Sequence, residues 1–224
     1  MKKTSGFTLI ELAIVLVIIG LLLGGVLKGQ ELINSAKVKS LASDFKNVQV
    51  YVYGYQDKFR ALPGDDAAVV AHLGVDATRA AGTGATSTVG NGVINGAWDS
   101  NTVGDESILF WQHVRLAGFA PGPTIIGDDA AAFVPKNAEG GRIGIQSIPG
   151  SSNLPTPALN GGYAICSAGI LGKFAKQIDL TLDDGETSTG SVRAYQTNTG
   201  AWVTSLVAEP SISDSGLYNV CMAF

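Results

Sequence analysis

Met1-Lys2-Lys3-Thr4-Ser5-Gly6-Phe7-Thr8-Leu9-Ile10-Glu11-Leu12 opens the chain, and an apolar run continues to Leu27. A short basic leader ends at Gly6. The apolar segment begins at once and carries one carboxylate, Glu11, at its fifth position counted from Phe7. Phe7 to Leu27 is long enough to cross a bilayer as a helix, which takes about 20 residues. Lys2 and Lys3 would hold the leader on the cytoplasmic side. In a secretory signal peptide the apolar stretch precedes the cut and is discarded. Here the small residue comes first, so a cut after Gly6 would keep the apolar part. Glu11 is costly in that setting, about 2.5–3.5 kcal/mol near a membrane centre and less near the interface. The cut would create a partner for it: a new α-amine on Phe7, ordinary pKa about 7.7–8.0 and largely cationic at neutral pH. That amine sits about one turn from Glu11 in its own helix, and in an assembly the Glu11 of one chain could meet the Phe7 amine of the next. The plainer alternative is a membrane anchor whose Glu11 reaches to the interface.

The helical pattern does not stop at Leu27. Leu41, Phe45, Val48, Val52, Tyr55, Phe59 and Leu62 recur at steps of four and three, one apolar face of a helix. Lys37, Lys39, Asp44, Lys46, Asn47, Gln49, Asp57 and Lys58 fill its other faces. The pattern predicts one helix from about Phe7 to Arg60, on the order of 80 Å long, ended by Pro63-Gly64. Its outer half must pack on the rest of the chain.

Gly6-Phe7-Thr8-Leu9-Ile10-Glu11-Leu12, with the leader charges before it and the apolar run after it, closely resembles the leader junction of type IV prepilins and type II secretion pseudopilins. The resemblance implies cleavage after Gly6 by a prepilin peptidase, which also methylates the amine of Phe7. It implies that Glu11 pairs with that amine in a neighbouring subunit. It further implies an α+β lollipop, a long N-terminal helix packed against an antiparallel sheet head. The chain then divides into a leader (1–6), a membrane-spanning stem (7–27), an amphipathic stem (28–61) and a head (62–224). The implied partners are copies of itself, other pilin-like subunits, the peptidase, an inner-membrane assembly platform and, before assembly, membrane lipid. The implied location is the inner membrane with the head in the periplasm, then a pilus or periplasmic pseudopilus. Many major pilins carry a Pro in the stem. Here the corresponding region holds Gly24, Gly25 and Lys28, which is more like a pseudopilin. Leu62-Pro63-Gly64-Asp65, Gly90-Asn91-Gly92-Val93-Ile94 and Trp111-Gln112-His113-Val114-Arg115-Leu116-Ala117-Gly118 are similar to a group of larger pilin-like heads.

Within the head, residues 65–74 read as a short helix with an Asp cap and terminal Gly. Residues 75–104, small, polar and Gly-rich, read as a surface loop. Asp105 to Leu116 reads as a second helix capped by Asp105. Strand signals run over 142–148, 163–168, 191–196, 201–207 and 217–223. Asp183-Asp184-Gly185-Glu186 reads as a tight turn joining a strand at Ile178–Leu182 to Ser191-Val192-Arg193. The expected result is an antiparallel sheet lying on the stem's apolar face.

Composition narrows the function. The net charge is −4 over 224 residues, and acidic residues crowd the head, which argues against nucleic-acid binding. Cys166 and Cys221 have no metal-ligand spacing; outside the cytoplasm a disulfide is the natural reading, and two buried thiols are the alternative. His72 and His113 lack any HExxH or HxH context. No nucleophile elbow, Walker loop or dinucleotide fingerprint occurs. No catalytic residue, cofactor or metal site is therefore expected, although the oxygen-rich Asp183–Glu186 turn and the Gly90–Asp99 loop are the two places where Ca²⁺ could sit. The reading is a structural subunit: a pilin, minor pilin or pseudopilin, processed and N-methylated before assembly into a pilus-like filament or type II secretion system. The alternative is an adhesin or cargo-binding module displayed on the stem, with 75–104 as its contact loop.

Overall fold

A computed structural model describes residues 8–80, 89–149, 154, 159–198, 201–206 and 212–224. A single helix, α1 (Leu9–Phe59), forms the stem and measures about 75 Å at 1.5 Å per residue. Its first part is exposed and apolar. From Val38 onward one stripe is buried: Val38, Leu41, Phe45, Val48, Val52 and Tyr55 are each at most 6% exposed. The four-and-three spacing predicts this stripe from Leu41 onward; it extends back to Val38, and Phe59 near its end is half-buried. Arg60 closes the helix in the left-handed region, φ 57°.

The head adds α2 (Val69–Leu73), α3 (Glu106–Leu116), α4 (Ala130–Phe133), β1 (Ile143–Ser147), β2 (Tyr163–Leu171), α5 (Gly172–Leu182), β3 (Val192–Asn198), β4 (Ala201–Leu206) and β5 (Leu217–Ala223). The strands form one antiparallel sheet in the order β1-β2-β5-β3-β4. The last strand therefore lies in the middle. The architecture is α+β, a long helix bearing an antiparallel sheet head.

Side chains alternate across the sheet as a period of two requires. Ile165, Tyr218, Val220 and Met222 face the main core, which they share with the stem stripe, α3 and α5. Ala164, Cys166, Cys221 and Ala223 face the other way and pack with Trp98, Leu159 and Tyr195 in a second, smaller core.

Two expectations are corrected. Residues 178–182 belong to α5, not to a strand. The short window Ile178-Asp179-Leu180-Thr181-Leu182 alternates, but Phe174, Ala175 and Ile178 recur at helical spacing and are buried, and the longer period wins. Among the head elements, α5 has the most extensive backbone approach to α1, so the sheet is not alone on the stem's apolar face. Lys37 pins the two parts, 2.7 Å from Glu139 and with its ammonium 5.8 Å from the centre of the Phe174 ring.

The second correction concerns 75–104. Ile94 and Trp98 are at most 2% exposed. The Ile94 amide donates to the Ser147 hydroxyl at 2.8 Å, and the Trp98 amide donates to Gln146 Oε1 at 2.8 Å. Arg142 donates to the carbonyls of Asp99 and Ser100 at 2.6 and 2.7 Å. Gly144 lets this chain lie close, since a Cβ there would meet the Trp98 carbonyl oxygen at 1.9 Å. Residues 93–101 are thus fixed to β1, with Ile94 entering the main core and Trp98 packing on the outer face of the sheet. Two large apolar side chains achieve this in a stretch whose average composition is that of a loop. Residues 81–88 of the expected contact loop lie outside the described residues.

Candidate assembly site on the stem

The stem begins with reciprocal hydrogen bonds. Thr8 is the N-cap, in extended conformation. Its Oγ1 accepts from the Glu11 amide at 3.3 Å, and Glu11 Oε2 accepts from the Thr8 amide and the Thr8 hydroxyl, each at 2.8 Å. This capping box satisfies amides that a helix start otherwise leaves without partners. The Thr-x-x-Glu signal is plain in Thr8-Leu9-Ile10-Glu11, but a reading that reserves Glu11 for the Phe7 amine passes over it. Gly6 and Phe7 lie outside the described residues. The Thr8 amide is a peptide amide with or without a cut after Gly6, so both forms can make the box. Oε1 of Glu11 accepts no hydrogen bond among the described residues, which leaves it open to a donor from elsewhere.

Beyond the cap the helix is bare. Leu9 is 89% exposed and Leu21 72%, and α1 holds one stretch long and apolar enough to cross a membrane, none of it buried. Its position near the N-terminus fits a single-pass anchor. Gly20, Gly24, Gly25 and Gly29 have open space where a Cβ would be, so another helix could approach closely there.

The three head strings that the sequence singles out converge on one another. Asp65, 2% exposed, accepts through Oδ1 from the Gly90 and Asn91 amides and through Oδ2 from the Gly92 amide at 2.7 Å. The Gly64 amide donates to Nδ1 of His113 at 2.9 Å. Gly64 has φ +91°, and a Cβ would lie 2.4 Å from the Glu106 carbonyl oxygen, so both conformation and space demand glycine. Asp66, 1% exposed, accepts from Tyr55 at 2.7 Å and from the Ala68 amide at 2.8 Å, and its Oδ2 lies 2.7 Å from His72 Nδ1. The acid pair is therefore a joint between the stem and the loop that follows it. Because 90–92 turn amides toward a carboxylate, that end of the Gly90–Asp99 loop suits an anion, not Ca²⁺.

The remaining candidates resolve similarly. His113 is fully buried and its Nε2 lies 2.9 Å from the Thr78 carbonyl; the Gly64 donor fixes the neutral tautomer with the proton on Nε2. Burial holds its pKa below the usual histidine value. Arg115 donates to the carbonyls of Pro121, Pro123 and Phe133. Asp129 caps α4 by accepting from the Ala131 and Ala132 amides. Burial raises the Tyr55 phenol, with Asp66 adding to the rise. Cys166 and Cys221 stand opposite one another in the β2–β5 register and are bonded, with Cα atoms 4.1 Å apart. These polar groups are held by structural partners.

No curated protein and no solved structure gives a match to the chain. Residues 1–27 match the family described as the prokaryotic N-terminal methylation motif, and with it the chain carries the signature of a type IV prepilin or pseudopilin.

Proposed function

We propose that the chain is a structural subunit, a pilin, minor pilin or pseudopilin, of a type IV pilus-like filament or a type II secretion system. The observation that carries this reading is the methylation motif at the start of a helix whose apolar stretch no other part of the described chain covers. An apolar helix left bare must be covered by lipid or by other helices. The stem waits in the inner membrane, is cut after Gly6 and methylated at Phe7, and then packs against the stems of neighbouring subunits. Oε1 of Glu11 receives the Phe7 amine of a neighbour. The stem glycines ease close approach, and the absence of a stem Pro favours the pseudopilin branch. The adhesin alternative loses support where 93–101 are packed against β1. The cysteine pair is assigned as a disulfide formed outside the cytoplasm.

Mass spectrometry of the N-terminal peptide from assembled material tests the proposal. A mature chain starting at N-methylated Phe7 is expected. An intact leader, or a cut after Leu27, would overturn it.

A further inference from the structure

Asparagine is followed by glycine three times in the head, at Asn91-Gly92, Asn95-Gly96 and Asn160-Gly161. Each pair carries a latent reaction. The backbone nitrogen after the asparagine can attack the side-chain carboxamide carbon, and glycine, which has no Cβ, leaves that approach open. The reaction runs only where the nitrogen and the carboxamide are both free to meet.

The first two pairs are held. The Gly92 amide donates to Asp65 Oδ2 at 2.7 Å, and Asn91 Oδ1 accepts from the Val93 amide at 2.8 Å. Asn95 Nδ2 donates to Glu106 Oε2 at 3.0 Å and to the Val93 carbonyl at 3.3 Å, and the Asn95 amide donates to the same Glu106 oxygen at 2.7 Å. Asp65 and Glu106 are both buried. Gly96 is wedged against Asp105, where an added Cβ would lie 2.8 Å from the Asp105 Cβ.

Asn160-Gly161 differs. Both residues are exposed. Among the described residues, neither the Asn160 carboxamide nor the Gly161 amide makes a hydrogen bond. The held part of the chain begins one residue later. The Gly162 and Tyr163 amides both donate to the Phe224 carbonyl, at 2.9 and 3.2 Å, and the Gly162 carbonyl accepts from the Ile148 amide at 3.0 Å.

We propose that Asn160 is a site of spontaneous covalent modification, deamidation through a cyclic imide. The Gly161 nitrogen attacks Cγ of Asn160 and gives up its proton to solvent. The carboxamide nitrogen takes up a proton and leaves as ammonia. Water then opens the imide. Attack at Cγ leaves aspartate, and attack at the main-chain carbonyl leaves isoaspartate, with the chain continuing through Cγ. The sum is water in and ammonia out, with no oxidation or reduction. Both products carry a new carboxylate. Isoaspartate also inserts one carbon into the main chain just before Gly161, where there is no slack, since a Cβ on Gly161 would lie 2.9 Å from the Phe224 oxygen. The extra carbon displaces the Gly162 and Tyr163 amides from that oxygen. It loosens the pairing of β2 with the end of β5, the middle strand of the sheet. On the filament reading, the modified fraction then records how long a subunit has stood in the assembly.

The test incubates the full-length protein in detergent micelles, in isotope-labelled water at mildly alkaline pH, and follows the three peptides by mass spectrometry. The Asn160 peptide should take up label and give isoaspartate and aspartate. Asn91 and Asn95 should react at least about tenfold more slowly, because each pair must first give up a hydrogen bond to a buried carboxylate. In urea the three rates should converge. In the folded protein, no product at Asn160, or equal rates at Asn91 and Asn160, would overturn the site. A difference that survives in urea would overturn its structural cause. Asn160→Asp supplies the charge without the inserted carbon. Amide exchange at Gly162 and Tyr163 should be faster in the isoaspartate form than in Asn160→Asp, and equal exchange would overturn the loosening.

Discussion

The amide of Gly64 donates to Nδ1 of His113 at 2.9 Å, joining the turn at the end of the stem to the middle of α3 across 49 residues of sequence. The bond needs a neutral imidazole, because a proton on Nδ1 would face the Gly64 N–H. Burial pushes the His113 pKa down, offset in part by the Thr78 carbonyl and the charge of Asp66. A depressed pKa means that the stabilisation is present above the ordinary value of about 6.5 and is lost as pH falls through the folded value. Asp44 works in the opposite sense: burial pushes it up to about 6, so its contribution is lost as pH rises through that value. Because Asp44 acts against it in both proteins, it is the wild-type advantage over His113→Phe in denaturant midpoint, not the wild-type midpoint alone, that should shrink from pH 8 down to pH 5. His113→Phe should be less stable throughout and should lack this acid-side component. Parallel profiles for the two proteins would refute the assignment.

Trp98 rests on the disulfide face of the sheet, 2% exposed. Trp98→Ala should cost about 3–5 kcal/mol, the range for an aromatic removed from a core. Chemical unfolding of the full-length chain measures it. A cost below about 1 kcal/mol would return this stretch to the class of solvated loops.

Much of this fold was legible in particular residues. Leu41, Phe45, Val48, Val52 and Tyr55 keep one spacing over four turns, and tertiary packing has no reason to override so long a signal. The strands were legible because alternation around Cys166 and Val220 reflects a sheet packed on both faces. Trp98 and Ile94 were not, since a loop's burial depends on what lies across from it, here Gly144, Gln146 and Ser147 of β1. The head of the acid pair was half legible. The Asp-rich start of 65–74 announces a capped helix, but the helix runs Val69–Leu73 with no side-chain cap bond, and nothing local shows that Tyr55 and His72 would share the second carboxylate.

Cys166 and Cys221 face one another on the two strands that form the middle of the sheet with β3. Their bond closes a loop with a sequence separation of 55, worth about 4 kcal/mol on the chain-entropy argument. Replacing both by serine should lower the unfolding free energy by roughly 2–4 kcal/mol. Peptide mapping without reductant should recover the Cys166–Cys221 pair from protein exported to the periplasm. Free thiols in that material would contradict both the link and the compartment.

Glu11 has two roles open to it, and one substitution separates them. As the third residue of the capping box it serves the stem's own N-terminus, where glutamine works as well as glutamate. As a charge offered to a neighbour's Phe7 amine it has no neutral substitute. Glu11→Gln should therefore keep the helix start and membrane insertion while impairing assembly nearly as much as Glu11→Ala. Thr8→Ala provides the converse. It removes the cap at a cost of about 1 kcal/mol but leaves the carboxylate charge, so assembly should continue at a reduced level. The measurement is the ratio of filament-incorporated to membrane-held protein for each variant, expressed as the only copy. Assembly of Glu11→Gln at the wild-type level, with failure of Thr8→Ala, would assign Glu11 to its own helix alone and remove the inter-subunit pairing from the proposal.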